Sequence, residues 1–277
     1  MVLFRCPVCR SPLVDCGNHV ACVNHHSFDR AAEGYYHLLP SNKMHAKLPG
    51  DSKEMVAARR AFLNAGYYQL FSDGINDAAA KAIAGIKSPV ILDAGCGEGY
   101  YTARLKQALS EQRSDARIAG FDISKAAVRA AAKWDKEISF AVASIFDIPV
   151  ADNCCDLVLN VFAPIVPAEF ARVLRAGGVL LIAVPSERHL LGLKEILYEV
   201  PYENEKTDTE YEGFDFLERI PLRGTITLTE PEQIANLFSM TPYYWKTSQA
   251  GSERLRQATR LETEIGFDLL LYRRHQA

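Results

Sequence analysis

From Pro89 onward the chain alternates short apolar runs with helical segments, and this alternation limits the possible folds more than any other feature. The apolar runs are VILDAG, RIAGFDIS, ISFAVAS, CDLVLNVF and GGVLLIAVPS; YYTARLKQALSE and AAVRAAAKW lie between them as helical stretches. Strands that return in the same direction need a crossover, and a helix packed in the right-handed sense supplies it. The expectation is an α/β fold on a doubly wound parallel sheet. Ligands of such sheets lie at the carboxyl ends of the strands.

The first run ends in Leu92-Asp93-Ala94-Gly95-Cys96-Gly97-Glu98-Gly99. Glycines at this place let the backbone approach a ligand closely. A dinucleotide fingerprint would read G-x-G-x-x-G, but here the third glycine comes one residue early and Tyr100 stands in its place. That departure, with the acid Asp93 two residues before Gly95, points to a Rossmann-like domain that binds S-adenosylmethionine. Asp122 closes the second run, 23 residues beyond Gly99, where a carboxylate can accept both ribose hydroxyls. Its competing role is to cap the helix that follows Ser124. Ser144, after the third run, would border the adenine. The fourth run ends in Asn160-Val161-Phe162-Ala163-Pro164, where the acceptor is presented. This is not the N/D-P-P-Y loop that grips an exocyclic amine, which favours another acceptor atom such as a ring nitrogen.

The first forty residues pose a different problem. Cys6 and Cys9 form a C-x2-C clamp, and Cys22 and His26 form a C-x3-H clamp after a twelve-residue spacer. Two such clamps can bring four ligand atoms to one tetrahedral zinc at roughly 2.0 to 2.3 Å. Buried inert thiols are the plainer alternative, and a redox role would need the C-x2-C between a strand and a helix. His25 competes with His26 as fourth ligand, and Cys16 lies outside both clamps. A segment this short buries too little apolar surface to fold alone, so metal binding and folding should be coupled.

Composition bounds the rest. A chain of 277 residues can build one full core and a small satellite. Seven cysteines, an odd number without a disulfide-like spacing, fit reduced thiols in a cytoplasm. No signal-like stretch and no run of 18 apolar residues is present, so neither export nor a membrane is expected. The net charge of -3 is uneven: residues 1–60 carry eight Lys/Arg against five Asp/Glu, and the remainder 23 against 29. Arg5, Arg10 and Arg30 of the basic front would neutralise phosphates of an RNA. The division expected is a zinc module over 1–40, a connecting helical segment over 41–88 and a methyltransferase domain over 89–277. Within the connector, Ser52 caps a helix that stops at Gly66, and a second helix spans 70–84. Arg59 and Arg60 are either an RNA-facing pair or a solvated helix face. Tyr67 and Tyr68 lie in the break, where aromatics usually pack.

Taken together, CPVC…C-x3-H-SFD, AEGYYHLLP, PGDSKEMVAARRAFLNAGYY, LDAGCGEGYYT, FDISKAAVRAAAK, NVFAP, PSERHLLGLKE and MTPYYW resemble the RlmA-type 23S rRNA (guanine-N1)-methyltransferases over essentially the whole chain. The resemblance implies zinc on Cys6, Cys9, Cys22 and His26, which demotes His25. It implies S-adenosylmethionine contacts at Tyr68, Gly97, Glu98 and His189, so Tyr68 turns from packing residue to cofactor lid. It further implies a 23S rRNA hairpin as substrate and a homodimer whose zinc modules help form an RNA cleft. Two rival readings remain: a small-molecule methyltransferase with a purely structural zinc, and a non-catalytic zinc RNA-binding protein that retains the fold.

Overall fold

A computed structural model describes residues 3–40 and 50–276. The N-terminal segment folds as a small antiparallel sheet, β1 (Val14–Asp15), β2 (His19–Ala21) and β3 (Ser27–Asp29). It has no separate core. Phe4, Leu13 and Val20 pack with Tyr36 and Leu38 into the same apolar cluster as Val90, Leu92 and Ala141 of the large sheet and Ile148 of the loop after its strand Ser139–Val142. The next strand, β4 (Tyr36–His37), leaves the small sheet and joins the edge of the large one.

Helix α1 (Lys53–Asn64) begins where the Ser52 hydroxyl accepts the Met55 N–H, and it ends before Gly66, whose φ of +85° suits glycine. Helix α2 (Gln69–Ala82) follows the break at Tyr67 and Tyr68. The alternating region then runs β5 (Val90–Ala94), α3 (Tyr100–Glu111), β6 (Arg117–Asp122), α4 (Lys125–Ala131), β7 (Ser139–Val142), β8 (Cys155–Val161), α5 (Pro167–Val173), β9 (Leu174–Pro185) and α6 (Leu191–Leu197). All positions of β5 and β8 are buried, because both faces of the sheet are covered.

The five apolar runs pair in parallel as expected, and strands that the sequence reading did not place extend the sheet at its far edge. Two long strands, β10 (Phe214–Leu228) and β11 (Leu261–Arg274), add antiparallel to β9, with α7 (Pro231–Ser239), α8 (Tyr243–Lys246) and α9 (Gln249–Gln257) between them. The sheet is therefore mixed, in the order β10-β11-β9-β8-β5-β6-β7-β4. As the outermost strand, β10 tolerates Pro221, whose missing N–H leaves no gap in a ladder on its free side. Leu228 pairs with Leu261 and Phe267 with Pro185, so α7 to α9 connect at the edge where the parallel strands end. The strand order reverses between β5 and β8, and the crevice that binds ligands in such sheets opens there. Among the described residues, no helix is long and apolar enough to cross a membrane.

Candidate active site and metal centre

The two clamps meet. Ligand atoms of Cys6, Cys9, Cys22 and His26 all lie within 4.8 Å of one another. Tetrahedral bonds of zinc to sulfur and nitrogen give ligand–ligand edges of about 3.8 Å between sulfurs and about 3.6 Å from sulfur to nitrogen. The protein has Cys9 Sγ to Cys22 Sγ at 3.6 Å, and His26 Nδ1 at 3.5 Å from Cys6 Sγ and 3.4 Å from Cys22 Sγ. These residues fit the ion. Hydrogen bonds from Ser11 and Asn24 hold the Cys9 thiol down to about 5, which makes a thiolate available at neutral pH, whereas burial pushes Cys6 up. His25 sits at the turn with φ +62°, exposed and outside the cluster; Cys16 is exposed and lies outside it too.

The zinc module is riveted to the loop after β7. Arg10 pairs with Asp147 and donates to the Ile148 carbonyl at 3.1 Å; the Arg5 N–H bonds the Pro149 carbonyl at 2.7 Å. Arg30 pairs with Asp15 and bonds the Tyr36 hydroxyl. Both guanidinium groups are engaged within the chain and remain part exposed, so a phosphate at either would share it with Asp147 or Asp15. Arg59 and Arg60 likewise have partners within the chain. Arg59 pairs with Asp51, and Arg60 lies 4.9 Å over the Trp134 ring.

At the end of β5, the loop from Gly95 to Gly99 needs its glycines. Gly95, Gly97 and Gly99 have φ of +90°, +54° and +84°. A Cβ on Gly95 would collide with Ala163, and one on Gly99 would lie 2.8 Å from Ala131 Cβ. Asp122 ends β6 beside this loop. Its Oδ2 accepts the Gly97 N–H at 3.0 Å and its Oδ1 the Ser124 N–H at 2.8 Å. Ser124 is itself the helix cap, accepting the Ala127 N–H. Each Asp122 oxygen keeps a second lone pair, so two hydroxyl donors can still be accepted. Asp93 is buried; its Oδ2 accepts the Thr102 hydroxyl at 2.6 Å, while Oδ1 is buried with no hydrogen-bond partner among the described residues. A buried acceptor left open at the ligand edge fits a cofactor that brings a donor.

Tyr68 and His189 come together on the opposite rim of the crevice. The Tyr68 hydroxyl is 3.5 Å from His189 Nε2, and its ring packs edge-on to Phe62 and Phe267. The Gly266 N–H donates to His189 Nδ1 at 3.3 Å, and burial drives the imidazole down to about 3, so it is neutral. With Nδ1 accepting, the proton sits on Nε2 and points at the Tyr68 oxygen. The pair is a fixed donor–acceptor unit. Glu98 is held elsewhere: the Trp134 indole donates to its carbonyl at 3.0 Å and its carboxylate at 3.4 Å. Burial raises the Glu98 pKa, with the Trp134 bond, Arg59 and Arg60 opposing. Ser144 accepts the Phe146 N–H in the loop that Arg10 grips.

Residues 87–237, more than half of the chain, match the model of a methyltransferase domain, and residues 4–47 match that of the RlmA N-terminal zinc ribbon. A 23S rRNA (guanine(748)-N(1))-methyltransferase of Streptomyces fradiae is 34% identical over 247 residues, covering 87% of this chain and 85% of that protein. The chain belongs to the RlmA-type 23S rRNA (guanine-N1)-methyltransferase family. A Micromonospora griseorubida protein named as a 23S rRNA (guanine-N(1)-)-methyltransferase, with no nucleotide number, is 34% identical, over 89% of this chain and 88% of its own. A third such relative, from Bacillus subtilis, is 28% identical over 97% of this chain and 96% of its own.

For this family member, several residues that shape the crevice escaped the sequence reading. Asp51 reaches it through Ser124, whose hydroxyl donates to the Asp51 carbonyl at 2.7 Å. Gly50 is pressed onto Ser124, where a Cβ would come within 2.9 Å of the serine Cβ. The segment before α1 thus covers the Asp122 corner. Asn160, fully buried, donates to the carbonyls of Ala94 and Pro164 and joins the ends of β5 and β8. The sequence places it at the end of the fourth run, but not against these two carbonyls.

Proposed function

We propose that this protein methylates N1 of a guanine in a 23S rRNA hairpin, with S-adenosylmethionine as methyl donor, working in the cytoplasm as a homodimer. The observation that carries the reading is the joining of a four-ligand zinc ribbon to the edge of a methyltransferase sheet in one core. Likeness to the named relatives over most of the chain supports the rRNA substrate. The homodimer rests on the family resemblance.

S-adenosylmethionine, when bound, supplies an electrophilic methyl group. Asp122 would take the ribose hydroxyls on its open lone pairs, and Asp93 Oδ1 would accept a further donor. Tyr68, backed by the neutral His189, would close the other side, where water is excluded by Phe62, Phe71 and Phe267. Positioning of this kind supplies much of the rate of a methyl transfer. Zinc with four protein ligands has no open position for Lewis-acid chemistry, so its role is structural. The target guanine must leave its stack, and bases in a hairpin loop are the cheapest to extract.

Primer extension tests this reading. Methylated N1 blocks Watson–Crick pairing, so 23S rRNA from cells with the protein should stop the primer at one hairpin guanine. RRNA from a deletion strain should read through. An identical pattern in both strains would overturn the assignment.

A further inference from the structure

We infer that Phe162 is the platform on which the target base stacks, an inference that rests on the rRNA-guanine reading above. Phe162 follows β8 directly and stands at the reversal of strand order between β5 and β8. This is the point of a doubly wound sheet where ligands converge.

Its backbone is strained. Phe162 has φ +55°, a left-handed conformation that a bulky side chain rarely adopts. Such strain persists only where the surroundings hold it in place, and it concentrates at functional sites. The surroundings here are explicit. The Phe162 N–H donates to the Ala183 carbonyl at 3.2 Å, and Asn160 ties the strand end to Ala94 of β5 and to Pro164 just beyond Phe162. The Ala163 methyl occupies the space over Gly95 that any larger residue there would fill. The loop is thus locked to the glycine turn.

On this locked loop Phe162 is 47% exposed. Its inner side rests against Phe71 and Phe267, each with its ring centre 5.4 Å away, and those two rings stack on each other at 4.0 Å. Phe71 and Phe267 are buried, as core aromatics should be. Phe162 is not. A half-open ring on a rigid aromatic base gains only part of the burial that Phe71 and Phe267 enjoy, and it is held at the cost of backbone strain. It does offer a flat apolar surface to a planar purine. Phenylalanine brings no hydrogen-bonding group, so it would set the plane of the base and leave its edge to other residues.

The test uses the full-length zinc-loaded protein with Phe162→Ala, Phe162→Leu, Phe162→Tyr and Phe162→Gly. Three quantities are measured for each: kcat/KM on an unmodified hairpin RNA, S-adenosylmethionine affinity by calorimetry, and thermal midpoint. Loss of one base–aromatic stack should lower kcat/KM about 10- to 100-fold in the Ala, Leu and Gly variants. Tyr should retain activity, and cofactor affinity should stay within about twofold throughout. The Gly variant accepts φ +55° without strain but gives up the contacts with Phe71 and Phe267, so the thermal midpoint establishes that each variant is folded at the assay temperature before its defect is ascribed to lost stacking. Activity retained in Phe162→Leu or Phe162→Gly would overturn the inference, and so would a matching fall in cofactor affinity. A wild-type protein that leaves the hairpin unmethylated would remove the parent reading and this inference with it; an active wild type with an equally active Phe162→Ala removes only the inference.

Discussion

Replacing Asp93 by Asn removes an ionisable group from a position that is 1% exposed. Burial pushes this carboxyl up from 3.8 to about 7, with Thr102 opposing the rise and Asp122 adding to it. In the unfolded chain the group loses its proton near pH 4; in the folded protein it does so near pH 7. Between these values the native state binds more protons, so stability falls as pH rises. Each pH unit inside the window costs about 1.4 kcal/mol. Asparagine has no proton to lose. From pH 5.5 to 7.5 the stability difference should therefore move in favour of Asp93→Asn by about 2 kcal/mol. The new amide donor facing the open side of the site costs about 1–3 kcal/mol, but does so at every pH and cancels from the comparison. Urea denaturation of the cofactor-free, zinc-loaded proteins across this range measures the difference directly. Parallel stability profiles for the two proteins would refute the argument that Asp93 is held at the end of β5 against its own ionisation.

Other outcomes are expected at separate points of the molecule. Cys9→Ser should lose the single zinc expected per chain, measured by metal analysis, while His25→Ala keeps it. Asp122→Ala should weaken S-adenosylmethionine binding by about 1.5–3 kcal/mol in calorimetry, the usual loss for hydrogen bonds to a charged group. Arg10→Ala should cost about 1 kcal/mol of stability or less, because the Arg10 side chain is half exposed. It should nevertheless lower hairpin methylation more than cofactor affinity, by freeing the zinc module from the Asp147 loop.

The parts of the molecule that were legible in the sequence are those set by local spacing or by burial on both faces. The C-x2-C and C-x3-H clamps each close within one turn, and β5 and β8 read as apolar runs because no position of either meets solvent. What escaped depends on distant partners. Strand β10 alternates poorly: Arg219 and Arg223 interrupt it, and only their pairing with Asp268 on β11 explains them. Arg10 looked like a free cation because Asp147 lies far along the chain. Asp122 could be placed at a strand end, but not seen to hold the Gly97 and Ser124 N–H groups already. Likewise AEGYYHLLP reads as strand-like, yet nothing in it says that Tyr36 pairs with Ala141 of the catalytic sheet. That pairing is why removing the zinc module would strip a sheet edge and uncover Phe121, Ala141 and Ile148, and why point substitutions are the cleaner probes.

The central claim is that this protein places a methyl group on N1 of one guanine in a structured rRNA. The most direct measurement incubates the purified zinc-loaded chain with methyl-deuterated S-adenosylmethionine and an unmodified 23S hairpin, followed by nucleoside mass spectrometry. Deuterated 1-methylguanosine is expected, close to one per hairpin, and none from a hairpin in which the target guanine is replaced. Label on another nucleoside or another atom of guanine, or an RNA that stays unlabelled while the protein binds the cofactor, would contradict the claim.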